Sequence, residues 1–365
     1  MKIAFIGQKG IPASWGGVED FVEQVSVRLA GQGHAVTVYC RSYYTKVAGD
    51  YKGVTLKTLP SLNTKHWDAL SHTVLSGLHS LLKDYDILHY QALGPSSLSA
   101  IPKIFGKSKI IATIHSLDWQ RDKWGGLAKR IFRLAERPAA IFPDQLTAVS
   151  EGLRDYLQQK FDRPVVRIST GISQPNIREP EGINRYGLKP NQFLLYLGRL
   201  VPEKGCHLLC QAFQKLDPDL KLFIGGEGQF AGSYVESLKK YASDKIVFGG
   251  YVDQTLKEEL FSNCLGFILP SLVEGFPNTI LEAFSYGKPV LASDISANKE
   301  ALGPFQLTFK SENKEDLVGA LVHLLKTEPS GNGWPDKRME YVRKNFSWDN
   351  TALQLEKIYE QALKG

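Results

Sequence analysis

Short apolar runs alternate with longer amphipathic stretches along most of the chain. In the first half the runs are Ile3–Ile6, Ala35–Tyr39, Val54–Leu56, Ile87–Tyr90, Ile110–Ile114 and Leu146–Val149. They are rich in β-branched residues, almost unbroken in hydrophobicity, and bounded by Gly, Pro or Asp, the pattern of strands covered on both faces. Between the first two runs, Val18, Phe21, Val22, Val25 and Leu29 recur at the spacing of one helix face. The repeated strand–helix–strand order predicts a parallel sheet with right-handed crossovers.

The second half repeats the scheme with Phe193–Leu197, Leu220–Ile224, Ile246–Phe248, Leu265–Leu269, Val290–Ala292 and Leu307–Phe309. Between the halves, the stretch Ser173–Gly182 carries two prolines, a glycine and mixed charge, and reads as a linker. A last helical pattern runs from about Trp348 to Leu363. Two Rossmann-like domains are expected, facing each other across a cleft at the carboxyl edges of both sheets, where ligands bind in such folds.

Length and composition agree with this picture. A chain of 365 residues is comfortable for two cores. Its 43% hydrophobic and 22% charged residues describe an ordinary globular protein. The formal charge of +6 (44 basic, 38 acidic) suits an anionic ligand or membrane surface and implies no nucleic acid. No run of about 18 apolar residues would span a membrane. Met1–Ile6 reads as a first buried strand, because Gly7-Gln-Lys-Gly10 interrupts it and no small-residue cleavage site follows. Cys40, Cys206, Cys210 and Cys264 form no Cys-x-x-Cys and share no metal-ligand spacing with His. A reducing, cytoplasmic setting is therefore expected.

Four elements carry candidate chemistry. The first is the Gly-rich segment Gly7–Gly17, ending in Gly16-Gly17 between a strand and a helix, where backbone N–H groups can meet an anion. Its spacing is not that of a dinucleotide fingerprint, and Tyr39-Cys40-Arg41 offers no acidic ribose partner, which disfavours a dehydrogenase. The second is Gly198-Arg199-Leu-Val-Pro-Glu-Lys204-Gly205, which places a guanidinium fork and an ammonium after a strand, as a diphosphate requires. The third runs from Glu274 through Gly-Phe276-Pro277-Asn278-Thr279 to Glu282, a loop leading into a helix. Locally, Thr279–Glu282 is also a capping box and Glu274 a solvated carboxylate. Functionally, the helix start would lie under a diphosphate and both carboxylates would accept sugar hydroxyls. The fourth is His115, at the carboxyl edge of its strand.

Asp84-Tyr-Asp86 and Asp217-Pro-Asp219 precede strands, at the wrong edge of a sheet for a cleft, and read as turns; no metal site is predicted. In the segment 121–137, basic residues alternate with Trp124 and Phe132. That suits a helix lying on an anionic membrane as well as a solvated basic face.

These motifs together resemble the retaining glycosyltransferases of family four, with the GT-B fold. The resemblance rests on the Gly16-Gly17 loop, His34 in Gly-His-Ala-Val-Thr-Val, His115, Gly-Arg-Leu-Val-Pro-Glu-Lys-Gly, the Glu-x7-Glu run and the closing Phe346-Ser-Trp348 helix. The N-terminal stretch is similar to that of bacterial polysaccharide rhamnosyltransferases. That subgroup often has Tyr-Gly-Gly-Phe-Glu-Thr where this chain has Trp-Gly-Gly-Val-Glu-Asp, and Ile168-Ser-Thr-Gly-Ile172 departs from the common Pro-Asn-Gly turn.

The resemblance implies an acceptor domain over residues 1–172, completed by the helix 347–365, a linker over 173–190, and a donor domain over 191–346. It places Arg199 and Lys204 on the donor diphosphate, Glu282 on the ribose and Glu274 on the transferred sugar, beside the amides of Phe276, Pro277, Asn278 and Thr279. His115 would lie near the sugar C6 or the reacting centre, Gly16 and Gly17 on phosphate, and Tyr251-Val252 along the base. The implied reaction is metal-independent transfer with retention, from a nucleotide sugar to a glycan or lipid-linked acceptor. No separate cofactor is implied, and domain closure would exclude water. Two readings stay open beside it: a non-hydrolysing sugar-nucleotide 2-epimerase, and a non-catalytic sugar-nucleotide-binding protein.

Overall fold

The computed structural model describes residues 1–14, 16–47, 49–64, 67–120, 125–216, 219–228, 232–327 and 333–365. Trp15 of the Gly-rich loop, Arg121 to Trp124 of the basic segment and Asp217-Pro218 of the second Asp-x-Asp lie outside them. The chain forms two compact units, Met1–Gly171 with Phe346–Gly365, and Ile172–Asn345.

Each expected apolar run forms a strand. In the first unit these are β1 (Lys2–Ile6), β2 (Ala35–Arg41), β3 (Gly49–Tyr51), β4 (Val54–Leu59), β5 (Ile87–Gln91), β6 (Lys109–Ile114), β7 (Gln145–Ala148) and β8 (Val166–Arg167). Their order is β3-β4-β2-β1-β5-β6-β7-β8, parallel throughout except for the β3–β4 hairpin. The apolar pattern does not foresee that hairpin. It closes through Lys52 and Gly53, both at positive φ (50° and 81°), the backbone of a tight two-residue turn.

Ile3 to Ile6 of β1 are fully buried because helices cover both faces of the sheet. One face is covered by the helix Gly17–Gly31, whose Phe21, Val22, Val25 and Leu29 share a core with Trp348, Leu355, Ile358 and Tyr359 of the helix Trp348–Lys364. Ser347 caps that closing helix, and Thr351 ties it to the Ser169 carbonyl at 2.8 Å. The chain thus returns to its first unit after completing its second.

The second unit contains β9 (Phe193–Leu197), β10 (Lys221–Gly225), β11 (Ile246–Gly250), β12 (Gly266–Leu269), β13 (Val290–Ser293) and β14 (Thr308–Phe309). Their order is β11-β10-β9-β12-β13-β14, all parallel. From Asn176 onward the segment 173–190 is tied to the helix Gln254–Asn263. Arg178 pairs with Glu258 at 2.6 Å, and the Ile183 amide donates to Glu259 at 2.8 Å.

Each sheet reverses its direction of winding once, between β1 and β5 in the first unit and between β9 and β12 in the second. The loops that leave neighbouring strands at such a point turn to opposite faces and open a crevice at the carboxyl edge. Gly16 and Gly17 lie on the loop after β1, Arg199 and Lys204 on that after β9 and Glu274 on that after β12, whereas His115 follows β6 and Tyr251–Val252 follow β11.

Candidate functional site

In the second unit the loop after β9 carries Arg199 and Lys204, and the loop after β12 carries Glu274. A backbone bond stitches the two together, the Leu272 amide donating to the Glu203 carbonyl at 2.9 Å, and within the first loop the Arg199 carbonyl accepts from the Tyr196 hydroxyl at 3.1 Å. Gly205 stands at φ 65°, and a Cβ there would collide with the Pro270 carbonyl oxygen, so only glycine permits this approach. The outcome is an ion pair in which Lys204 Nζ donates to Glu274 Oε1, with only 16% and 9% of the two side chains exposed. The lysine expected on a diphosphate and the carboxylate expected on a sugar are thus in contact within one unit.

The helix Asn278–Ser285 starts directly after this loop. The expected capping box does not form: the cap position is Pro277, and no described side chain caps the helix. Pro277 brings the chain in with φ already near the helical range, so helical geometry begins one residue before Thr279. Glu282, freed from capping, pairs instead with Lys257 at 2.9 Å. Buried Pro277 and half-buried Phe276, Asn278 and Thr279 line the uncapped start, whose amides and positive dipole end suit an anion.

Tyr251 and Val252 follow β11 and lead into the helix that carries Lys257, capped by Asp253. Tyr251 is exposed. The neighbouring edges are held by the Gly226 amide on the Gly250 carbonyl (2.8 Å) and the Leu200 amide on the Glu227 carbonyl (3.0 Å). This is a rigid frame of backbone groups at the ends of β9, β10 and β11.

In the first unit, Gly16 caps the helix Gly17–Gly31 at φ 107°, and both Gly16 and Gly17 are exposed. Glu19 folds back under them: its carboxylate accepts from the Lys9 amide at 3.0 Å, and its Oε2 fills the space a Gly16 Cβ would need. The helix start expected to meet phosphate therefore already holds a buried carboxylate. His115 leaves the end of β6, bonds Gln91 at 2.8 Å and meets the edge of the Phe21 ring. One register step deeper lies a buried polar row. His89 contacts the Tyr359 hydroxyl at 2.7 Å and Thr113 at 2.6 Å, and Thr113 contacts Thr147 at 2.7 Å. Burial, with His115 nearby, drives the His89 pKa down to about 3, so the ring stays neutral.

The described part of the basic segment forms the helix Gly126–Ile141. Leu127 and Leu134 (each 75% exposed), Ile131 and Ile141 make an outward apolar stripe flanked by Arg130 and Arg137. The inward face buries Glu136, which accepts hydrogen bonds from Trp119, Tyr156 and Lys160. Asp84 pairs with Lys2, and Asp86 accepts from the Lys2 amide, at the amino edge of the sheet. Among the described residues no cluster of His, Cys, Asp and Glu could hold a metal ion, and no helix is long and apolar enough to cross a membrane.

Known families divide at the same place as the two units. Residues 15–174 match the Glycosyltransferase Family 4 model, and residues 179–345 match the Glycosyl transferases group 1 model. Both units thus match glycosyltransferase families, and the fold is GT-B. This glycosyltransferase is similar to the phosphatidyl-myo-inositol mannosyltransferase of Mycolicibacterium smegmatis, 24% identical over 94% of this chain and 90% of that protein. Its fold is similar to that of sucrose-phosphate synthase from Thermosynechococcus elongatus, with TM-score 0.84 and 19% identity over 99% of this chain and 98% of that one. It is also similar to Anabaena HepE, solved in complex with UDP, with TM-score 0.79 and 17% identity over 99% of this chain and 100% of that one. Spacing does not point to three residues that the glycosyltransferase fold brings to its candidate sites: Glu19, Gln91 and Lys257. The signal for Gln91 is slight, a polar residue in phase with His89 on an otherwise apolar strand.

Proposed function

We propose that this glycosyltransferase moves a hexosyl or deoxyhexosyl group, with retention and without a metal ion, from a nucleotide sugar to a glycan or lipid-linked acceptor. The observation that carries the reading is the Lys204–Glu274 pair, stitched beside an uncapped helix start at the winding reversal of the second sheet.

A nucleoside diphosphate laid there meets Arg199, Lys204 and the amides of the helix start. Lys204 has three N–H donors and can bond a phosphate oxygen while keeping Glu274. Glu274, held by that lysine, accepts a hydroxyl of the transferred sugar. Glu282 accepts from the ribose, and the backbone at Tyr251 and Val252 flanks the base. As the glycosidic bond breaks, negative charge grows on the leaving diphosphate, and fixed cations and amides stabilise it more than they stabilise the intact donor. The leaving oxygen takes the acceptor's proton on the same face, which gives retention. On this reading His115 would lie near the sugar C6, and Gly16 and Gly17, whose helix start already holds Glu19, would offer a phosphate only their exposed backbone. The stripe on the helix Gly126–Ile141 rests on an anionic membrane that supplies a lipid-linked acceptor, on the cytoplasmic side. The N-terminal Gly-Gln-Lys-Gly stretch favours a rhamnosyl-type donor in surface polysaccharide assembly.

Titrating UDP-, GDP-, ADP- and dTDP-sugars into the purified protein by calorimetry, with and without EDTA, tests the reading. One nucleotide class should bind, and turnover with an acceptor should survive EDTA and keep the anomeric configuration. Turnover lost to EDTA and restored by magnesium would overturn the metal-free assignment. Epimerised donor without any acceptor would replace transfer by epimerisation, and binding without turnover of any donor would leave a sensor.

A further inference from the structure

The loop that carries Glu274 leaves β12 through Pro270, Ser271 and Leu272, and a different neighbour grips each of them. The Pro270 carbonyl lies against Gly205, where an added Cβ would stand 2.0 Å from its oxygen. The Leu272 amide donates to the Glu203 carbonyl at 2.9 Å. Between them, the Ser271 carbonyl accepts from the hydroxyl of Ser293, the last residue of β13. Backbone pairing of β12 with β13 runs from Phe267 with Val290 to Leu269 with Ala292 and stops there. Pro270 has no N–H, and the Asp294 amide is spent on the Phe309 carbonyl at 2.9 Å. The buried Ser271 carbonyl therefore needs a side-chain donor, which Ser293 supplies.

A serine hydroxyl has one proton. Ser293 gives it to Ser271, so towards Asn298 it can only accept. Asn298 Nδ2 lies 2.9 Å from Ser293 Oγ and 3.1 Å from the Ser293 carbonyl. Neither of those acceptors could face an amide oxygen, so the amide's orientation is fixed and both its protons are in use. Asn298 Oδ1 is buried without a hydrogen-bond partner among the described residues, which works against folding. What the chain of bonds achieves is a rigid start to the loop, three residues before Glu274. Ser271, Ser293 and Asn298 are all fully buried, where such a network holds its geometry most firmly.

We infer that Ser293 and Asn298 are positioning residues that set the height of the Glu274 loop, and so set how far a nucleotide sugar is preferred to its bare diphosphate. This rests on the reading of Glu274 as the group that accepts a hydroxyl of the transferred sugar. A hydrogen bond keeps its strength over a window of only about 0.5 Å, so a loop released from Ser293 loses the sugar first. The ribose, accepted by Glu282 on the helix Asn278–Ser285, is held from another element of the same unit. Ser293 and Asn298 act on sugar recognition without touching the donor.

Calorimetry with UDP-glucose, GDP-mannose, ADP-glucose and dTDP-rhamnose, each beside its parent diphosphate, gives the ratio of the two affinities for the pair that binds. Ser293→Ala and Asn298→Leu should each shift that ratio about fivefold or more against the sugar, with the parent diphosphate bound within about twofold of wild type. General damage to the fold would weaken both ligands alike and leave the ratio where it was. Glu274→Ala should shift the ratio in the same direction, and Ser293→Ala should add nothing in that background. An unchanged ratio in Ser293→Ala beside a shifted one in Glu274→Ala would overturn the inference and leave the proposed function standing. Shifts that add independently in the double variant would overturn it as well. An unchanged ratio in Glu274→Ala would remove Glu274 from the sugar, and with it the role given to Ser293 and Asn298.

Discussion

Lys257 Nζ lies 2.9 Å from Glu282 Oε1, joining the helix that follows the Tyr251–Val252 loop to the helix that begins at Asn278. One carboxylate oxygen is thus held in place, and in the function proposed above the other accepts from a ribose hydroxyl. Glu282→Ala should weaken nucleotide binding at least tenfold, about 1.4 kcal/mol. Lys257→Met should cost a few-fold, because it loosens the carboxylate without removing it. Its effect on stability should stay within about 1 kcal/mol, as the pair is 32% and 26% exposed. Calorimetry with the parent nucleoside diphosphate measures both, and wild-type binding by Glu282→Ala would remove that residue from the site.

Removing Lys204 leaves Glu274 buried without its cation. Lys204→Ala should therefore lose about 3 kcal/mol of stability as well as tenfold or more in turnover. Lys204→Met combined with Glu274→Gln should regain most of the stability and none of the activity. Denaturant melts and donor kinetics on the three proteins separate the two roles. Recovery of activity in the double variant would show that neither charge is needed.

Two buried histidines make the first unit sensitive to acid. Burial lowers the pKa of His89 to about 3 and that of His72 to about 4, Arg41 adding to the effect on His72. In the unfolded chain both titrate near the usual ~6.5, so between about pH 6.5 and pH 4 the unfolded state binds more protons. Stability should be level above pH 6.5 and fall as pH drops below it, by up to about 1.4 kcal/mol per pH unit for each ring. Urea melts at pH 7, 6 and 5 read the slope, and His89→Gln should reduce it. A slope that His89→Gln does not change would place the effect elsewhere.

The outward stripe of the helix Gly126–Ile141 yields a prediction with little bearing on folding. Leu127→Glu with Leu134→Glu replaces two exposed apolar side chains by negative charge. Binding to vesicles containing phosphatidylglycerol should drop at least tenfold, with the melting temperature unchanged. Equal sedimentation of the double variant and the wild type would exclude the stripe as a membrane contact.

Much of this architecture is legible in the sequence, because strands covered on both faces must be apolar almost without interruption. Phe193–Leu197, buried at every position, announces itself in this way. The shorter elements carry no such mark: β3 depends on the Lys52–Gly53 turn, and β8 is two residues long, Val166–Arg167, too short for any period to show. The Thr-x-x-Glu spacing at Thr279 misleads because it says nothing of the proline ahead of it. Pairings such as Gln91 with His115, 24 residues apart, and Lys257 with Glu282, 25 apart, depend on which strands and helices become neighbours. That is decided by the sheet order, which no local spacing contains.

The helix Trp348–Lys364 belongs to the first unit, and its Tyr359 reaches the buried His89. Domains usually fold in the order in which they leave the ribosome, the N-terminal one first. Here the first unit lacks part of its core until residue 359 has emerged, by which time the whole of the second is available. During synthesis the second unit is thus the earlier one able to finish, and the first must wait with Phe21, Val25 and His89 uncovered. A stalled or prematurely ended chain would leave that face open to solvent.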